Sequence, residues 1–224
     1  MQENTQSKKK GFTLLELLIV IAIISVLAAV AIFVLNPAET LREARDTQRV
    51  ADLATLKTAL ALYVTKTTST IAFDGNSNNY CRNGTGGNRL FYSTPDSVPI
   101  TDIILDGGVF TTSSQATAAN YTLTDGNGWI KTNLSGSLVG GSPISDMPVD
   151  PTNDITAGVS TAANVSSTAL VYRFACDKGD STFELNSKLE SLSIGAKAAK
   201  DGGNNSLLYE AGTKLTILGS GSDF

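Results

Sequence analysis

Histidine is absent from this chain of 224 residues, and cysteine occurs only twice, at Cys81 and Cys176. Histidine is the usual proton shuttle near neutral pH and the commonest metal ligand, so its absence removes both roles. The two cysteines lie far apart and form no CxxC motif, which excludes the familiar thiol redox motifs. The sequence offers no convincing nucleophile, base or metal cluster, and we expect a protein that is not an enzyme and needs no cofactor.

Charge is also scarce, since charged residues make up 17% of the chain, with 17 Lys and Arg against 21 Asp and Glu. A formal net charge of −4 argues against electrostatic binding of nucleic acid by the chain as a whole. From residue 65 onward Gly, Ser, Thr and Asn are frequent. This composition is typical of a secreted domain rich in strands and loops.

One long apolar segment departs from this composition. Between Phe12 and Leu35, Glu16 is the only charged side chain. As a helix these residues span roughly 36 Å, which exceeds the ~30 Å of a bilayer hydrocarbon core. Lys8 to Lys10 precede the segment and the next basic residue is Arg42, so the positive-inside rule predicts a cytoplasmic N-terminus.

The residues alone leave three interpretations of this segment open. A plain membrane anchor leaves Glu16 as an unexplained cost, about 2.5 to 3.5 kcal/mol at a helix centre and less near its end. A cleaved secretory signal would use Ala29-Val30-Ala31, a small-x-small pattern, as its cleavage site. Cleavage after Gly11 would instead create an ammonium group at Phe12, within one turn of Glu16. A buried carboxylate is tolerated when it is paired with a cation, which would be the amine of the same chain or that of a neighbouring subunit.

The stretch KKKGFTLLELLIVIAIISVLAAVA resembles the N-terminal signature of type IV prepilins and the related pseudopilins. The shared features are a short basic leader, Gly, Phe, three residues, Glu and then a membrane helix. The resemblance implies that residues 1–11 are a leader, that a prepilin peptidase cuts after Gly11, and that Phe12 becomes the N-methylated first residue. It also implies that Glu16 accepts the amine of an adjacent subunit during assembly.

The resemblance further implies an architecture, a function and a set of partners. We expect an α+β, type IV pilin-like fold with a long N-terminal helical spine and a head built on an antiparallel sheet. The chain would be a structural subunit of a pilus-like extracellular filament, anchored once in the cytoplasmic membrane before assembly and exposed at the cell surface afterwards. Its partners would be identical or homologous subunits, the prepilin peptidase and the inner-membrane assembly machinery. The alternatives are a pseudopilin of a type II secretion system and a membrane-tethered, secreted binding module.

The expected organisation has a transmembrane or filament-core helix at residues 12–35, an amphipathic stalk helix at 36–67 and a β-rich head at 68–224. Asn36 suits a helix N-cap and Pro37 the first helical position, which predicts a helix break there. An apolar stripe predicts that the head packs on the stalk from about Val50 onward. The stripe comprises Val50, Leu53, Ala54, Leu60, Ala61 and Val64. Charged residues before it form either a solvated neck or contacts between subunits: Glu39, Arg42, Glu43, Arg45, Asp46 and Arg49.

Within the head, residues 169–189 show the clearest hairpin pattern, because apolar side chains alternate on both sides of the turn from Asp177 to Asp180. Further strands are predicted at residues 108–112, 120–124, 129–133 and 215–218. A disulfide between Cys81 and Cys176 is plausible if the head is extracytoplasmic.

A calcium site is a second prediction for the head. Asp146, Asp150 and Asp154 lie in one loop and supply the hard oxygen ligands that calcium prefers. The loop resembles the calcium loop of major pseudopilins, although that loop's aromatic residue and glycine are missing after Pro151. Asp and Pro are also ordinary turn formers, so a turn without metal is the alternative.

Overall fold

The computed structural model describes residues 11–67, 70–82, 88–97, 100, 110, 112–154 and 168–220. The chain divides into two compact units, Met1–Leu41 and Arg42–Phe224. The helices in the described residues are α1 (Leu14–Leu35), α2 (Pro37–Lys66), α3 (Leu134–Ser137) and α4 (Leu192–Gly195). The strands are β1 (Arg89–Pro95), β2 (Thr112–Ala116), β3 (Tyr172–Asp177), β4 (Thr182–Ser187) and β5 (Tyr209–Gly212).

Helix α1 is apolar on every side. No glycine or proline interrupts its 22 residues, and Leu14–Ile32 has a mean hydropathy of 3.0. The helix is therefore long and apolar enough to cross a membrane. Every described side chain of α1 is exposed within this chain. Because exposed apolar surface is unfavourable in water, its cover has to come from lipid or from other chains.

A single residue separates the two long helices. Asn36 has φ 39° and ψ 69°, in the left-handed region, and ends α1. Asparagine is one of the few residues besides glycine that adopt this conformation readily. The carbonyl of Asn36 accepts the backbone N–H of Glu39 at 3.0 Å, and Pro37 follows at the first position of α2, where a missing N–H costs nothing. The interruption therefore lies beside Pro37.

The buried face of α2 differs from the predicted apolar stripe. Of that stripe only Leu53 and Leu60 are fully buried, whereas Ala54 is exposed. The residues that are buried recur every three or four positions: Asp46, Arg49, Leu53, Leu56, Ala59, Leu60 and Tyr63. The prediction was right for Leu53 and Leu60 and for Val64, which packs against the core. It missed the start of the face, where two charged residues are buried together with their partners.

The strands form one sheet in the order β2-β1-β3-β4-β5. β3 and β4 are the predicted hairpin, in which Phe174 lies opposite Leu185 and Cys176 opposite Phe183. The pairs β1–β3 and β4–β5 are also antiparallel, but β1 and β2 pair in parallel. The α+β class is confirmed, and the expectation of an antiparallel sheet needs correction at this one edge. Residues 96–111 connect β1 to β2, a length that permits a parallel crossover.

Several of the other predicted strands were wrong. Residues 120–124, 129–133 and 215–218 form turns and bends rather than strands. Trp129 and Ile217 are nevertheless fully buried, so their apolar character reports burial and not strand conformation. Most of the predicted strand at 108–112 lies outside the described residues, although its last residue, Thr112, begins β2.

The head has a hydrophobic cluster on each side of its sheet. Leu53 and Leu56 of α2 pack with Phe174 and Phe183 in one cluster. The second cluster contains Leu90, Tyr92, Phe110, Ala169, Val171, Ala175, Leu208, Ile217 and Leu218. The sheet is therefore covered on both faces, with α2 on one of them.

Candidate processing, assembly and head-anchoring sites

The predicted processing site lies immediately before α1. Gly11 and Phe12 have no regular secondary structure, and Phe12 is 81% exposed. A Cβ atom added at Gly11 would meet nothing within 4 Å. The Gly11–Phe12 peptide bond is therefore open to an enzyme. Residues 1–10, which include the predicted leader lysines, lie outside the described residues.

Thr13 caps the helix that carries Glu16. The Thr13 side-chain oxygen accepts the backbone N–H of Glu16 at 3.2 Å, while Thr13 itself has an extended backbone. This cap was not predicted, although a Thr followed three residues later by Glu is a recognisable N-terminal helix signal. It places the exposed carboxylate of Glu16 in the first turn, beside the positive end of the helix dipole.

A group of charged residues joins α2 to the head, and we call it the head anchor: Asp46, Arg49, Asp150 and Glu190. Arg49 donates to both carboxylate oxygens of Asp150, at 2.7 and 2.9 Å. It also donates to Asp46 at 2.9 Å, to Glu190 at 2.6 Å and to the Thr152 hydroxyl at 3.1 Å. All five guanidinium N–H groups therefore have an acceptor.

The carboxylates of the head anchor are equally well satisfied. Asp46 accepts the backbone N–H groups of Glu190, at 2.9 Å, and Ser191, at 2.7 Å. Asp150 accepts those of Thr152 at 2.9 Å and Asn153 at 3.2 Å. The side chains of Arg49, Asp46 and Asp150 have no exposed area. A buried charge is costly without partners, so each member depends on the others.

The head anchor also affects proton binding. Burial lowers the pKa of Arg49, but hydrogen bonds and attraction from Asp150, Glu190 and Asp46 raise it by more, so its pKa lies above the ordinary value. The hydrogen bond from Arg45 is the main reason that the pKa of Glu190 is lowered. Arg49 and Glu190 therefore hold their charges across the neutral pH range.

This geometry corrects the interpretation of the charged residues before Val50. Asp46 and Arg49 are neither a solvated neck nor contacts to another subunit, because they are fully buried inside the Arg42–Phe224 unit. Two neighbours also bond to the head: Arg45 donates to Glu190 at 2.8 Å, and the Ser193 hydroxyl donates to Glu43 at 2.5 Å. Packing of the head on α2 thus begins before Val50.

The three candidate calcium ligands are not brought together as a cluster. Asp150 is engaged by Arg49, while Asp146 is exposed and Asp154 half-buried. Within the described part of the chain, no group of three or more His, Cys, Asp or Glu residues is placed to hold a metal ion. Calcium binding stays a prediction from the sequence, and a rise in melting temperature with calcium that a chelator reverses would support it.

Cys81 and Cys176 form a disulfide in the structure, with their Cα atoms 4.7 Å apart. Cys176 lies on β3, and Arg82 follows with its backbone N–H bonded to the Cys176 carbonyl at 2.7 Å. The cross-link therefore fastens the segment after α2 to the middle of the sheet.

Two buried carboxyl groups were missed by the sequence reasoning. Glu184 on β4 accepts the backbone N–H groups of Ile217 and Leu218 through one oxygen, at 2.8 and 3.0 Å. Glu210 on β5 accepts that of Asn205 at 2.8 Å. The other oxygen of each glutamate accepts no hydrogen bond from the described residues. The two carboxyl groups are close enough to hydrogen-bond to each other when one of them is protonated. Burial, helped by this hydrogen bond, raises the pKa of Glu184 to about 9.

The N-terminal segment matches a known family model. Residues 6–32 match the model described as the prokaryotic N-terminal methylation motif. No curated protein and no solved structure matches the chain. The match ends within α1, so it bears on the processing segment and the helix and not on the head.

The match confirms the resemblance, because this motif is the prepilin-type signature. Together with the exposed apolar helix and the α+β head, it supports a type IV pilin-like or pseudopilin-like protein that a prepilin peptidase processes. Proteins with this motif are structural subunits that polymerise, and an apolar N-terminal helix fits anchoring in a membrane before assembly.

Proposed function

We propose that this chain is a structural subunit of a type IV pilus-like extracellular filament, cleaved after Gly11 and polymerised through α1. One observation carries the proposal: α1 combines an exposed, uninterrupted apolar surface with a single carboxylate in its first turn. Lipid covers that surface before assembly, and the same helices of neighbouring subunits cover it afterwards. Burial of this area against other helices supplies the driving force for the filament core.

Processing and assembly are linked through charge. Cleavage after Gly11 exposes the amine of Phe12, which is mainly protonated at neutral pH. The carboxylate of Glu16 in the adjacent subunit is its counter-charge, and the pair removes the cost of leaving a carboxylate alone in an apolar core. Because a single buried polar pair fixes the register of neighbouring helices, Glu16 sets the axial position of each added subunit.

The orientation before assembly follows from the flanking charges. Lys8 to Lys10 stay in the cytoplasm, so the head from Arg42 onward lies on the far side of the membrane. An extracytoplasmic head agrees with the disulfide between Cys81 and Cys176. The loop around Asp150 does not support the pseudopilin alternative, because Arg49 donates to both oxygens of the Asp150 carboxylate.

Replacement of Glu16 tests this proposal directly. Glu16→Gln keeps the size and helix propensity of the side chain and removes only its charge. We expect the variant to be cleaved and inserted in the membrane as before, but to form no filaments in electron micrographs of sheared cell-surface fractions. Ser25→Ala, a change at another polar position of α1, is the control and should form normal filaments. Normal filaments from Glu16→Gln would show that the carboxylate is not the assembly contact.

A further inference from the structure

A cleft of about 540 Å³ opens between α2 and the chain that follows α4. Lys57 lines it from α2, while Lys197 and Lys200 line it from the turns after α4. The residues around it all belong to the Arg42–Phe224 unit. Three lysines from two separate parts of the chain therefore line one concave surface, although the protein has a net charge of −4.

These three lysines have no partner inside the part of the chain that the structure describes. No ion pair or hydrogen bond reaches the ammonium groups of Lys57, Lys197 or Lys200 from any described residue. Other lysines of the head are engaged, since Lys214 pairs with Asp177 at 2.9 Å and Lys178 donates to Asn79 at 2.8 Å. Like charges grouped without ion-pair partners repel one another, and an anion placed between them relieves that repulsion.

The two acidic residues that line the cleft, Asp201 and Glu210, are hydrogen-bonded to backbone N–H groups. Asp201 accepts the backbone N–H groups of Gly203 at 2.8 Å and Glu210 at 2.7 Å, which fixes it as part of the loop. The Glu210 side chain is buried, and one of its oxygens accepts the Asn205 N–H. Neither carboxylate forms an ion pair with the three lysines among the described residues, and because three lysines line the cleft against two acidic residues, the cleft has an excess of positive charge.

The rest of the lining favours an organic ligand over a bare ion. The half-buried ring of Tyr209 and the side chains of Ala54 and Leu215 supply apolar surface between the lysines. A concave site of a few hundred Å³ with apolar walls and a few convergent charges has the dimensions of a small-molecule site. Lysine ammonium groups act as point charges toward phosphate and sulfate oxygens and require no single approach geometry.

We propose that this cleft binds a small sugar that carries two or more phosphate or sulfate groups, either free or as part of a surface glycan. The anionic groups lie against Lys57, Lys197 and Lys200, and the sugar ring packs on Tyr209. This binding role goes beyond filament assembly and does not depend on it. A duplex nucleic acid is a poorer fit, because its backbone is too wide to enter a cleft of this volume.

Calorimetric titration of the full-length processed chain in detergent, at about 150 mM salt, tests the proposal. The probe is a trisulfated disaccharide, and the same disaccharide without sulfates is the matched ligand control. The variant Lys57→Gln/Lys197→Gln removes one charge from each wall. Lys66→Gln/Lys178→Gln removes the same number of charges from exposed positions that do not line the cleft.

We expect the wild type to bind the sulfated probe and not its unsulfated form, and the cleft variant to bind at least about tenfold more weakly. The Lys66/Lys178 variant should stay within about twofold of the wild type. Equal weakening in both variants would show that only the overall charge matters, and would overturn the site. No binding of the sulfated probe, or tighter binding of duplex DNA than of the probe, would also overturn it.

A glycan-linked source is distinguished from a free sugar by repeating the titration with a longer sulfated oligosaccharide, which must bind at least as tightly if the ligand is part of a glycan.

Discussion

Arg49 illustrates how one residue couples a helix to a folded head. Its guanidinium group is fully buried and surrounded by Asp46, Asp150 and Glu190. Neutralising one member of such a group leaves the others buried without a counter-charge, which costs far more than the intact group contributes to stability. The head anchor is therefore important less for its net free energy than for the geometry it imposes between α2 and the loops at Asp150 and Glu190.

Arg49→Met should lower the free energy of unfolding by about 3 to 5 kcal/mol, because Asp46 and Asp150 lose their cation while buried. Urea denaturation of the processed chain in detergent measures this, with Trp129, the one tryptophan and fully buried, as fluorescent reporter. Arg45→Met is the control, since the Arg45 side chain is 35% exposed. Ion pairs between partly exposed side chains, such as Arg45 and Glu190, contribute about 1 kcal/mol or less to the free energy of unfolding. Equal losses from the two variants would contradict the role assigned to Arg49.

The carboxyl pair of Glu184 and Glu210 predicts a pH dependence with a definite sign. The pKa of Glu184 rises from 4.5 to about 9 on folding, so the folded chain binds more protons than the unfolded chain between these values. The pair's contribution to stability is fully present below about pH 4.5 and is lost as pH rises through about 9. Glu184→Gln keeps a neutral hydrogen-bonding group at every pH, so its stability should fall less steeply between these limits.

Denaturant titrations at a series of pH values measure that slope. Glu190→Gln is a control whose pH dependence has the opposite sign. Arg45 lowers the pKa of Glu190, so the contribution of Glu190 to stability is lost only as pH falls through that lowered value. It should alter the acidic side of the profile and leave the slope between neutral pH and 9 unchanged. Identical slopes for wild type and Glu184→Gln would rule out the hydrogen bond between the two carboxyl groups.

At the scale of elements, the sequence predicted what depends on local pattern. Helix α1 follows from an uninterrupted apolar run, and the hairpin of β3 and β4 follows from alternation around a turn of polar residues. The break at Asn36 follows from cap and proline chemistry. In each case the information lies within a few residues of the element itself, so tertiary contacts were not needed to recognise it.

The missed elements depend on contacts that are distant in sequence. β1 is buried at all five of its central positions, because the sheet is covered on both faces, so its sequence shows no alternation. β5 contains Glu210, whose burial requires Glu184 on the neighbouring strand. The head anchor was missed for the same reason, since the carboxylates of Asp150 and Glu190 that bury Arg49 are far away in the chain.

The disulfide is the cross-link that holds the segment after α2 to the sheet, and it joins residues separated by 95 positions. Closing a loop of this length should stabilise the head by about 4 to 5 kcal/mol through the entropy of the unfolded chain. Cys81→Ala/Cys176→Ala should therefore unfold at markedly lower urea concentration than the oxidised wild type.

Thiol alkylation of unfolded protein, with and without reductant, tests the bond itself. The wild type should be labelled at both cysteines only after reduction, and reductant should lower its stability. The double variant provides the control, because reductant should leave its stability unchanged. Labelling of the unreduced wild type would show that the bond is absent.

Considered as a whole molecule, the chain divides its tasks between its two units. The first unit carries the signature, the exposed apolar helix and Glu16, on which the proposed processing and assembly depend. The second unit is stabilised by its own hydrophobic core, the head anchor and the disulfide, and it has the lysine cleft on its surface. The proposed filament function thus depends on the first unit, and the proposed binding of an anionic sugar depends on the second.

The central claim is that the chain is cut after Gly11 and assembled as a methylated subunit, and the mass of its N-terminus tests this most directly. Fibres sheared from the cell surface are digested, and the N-terminal peptide is sequenced by mass spectrometry. We predict a first residue at Phe12 that carries one added methyl group on its amine. A first residue at Ile32, as expected for a secretory signal cut after Ala31, or an intact Met1 would contradict the account.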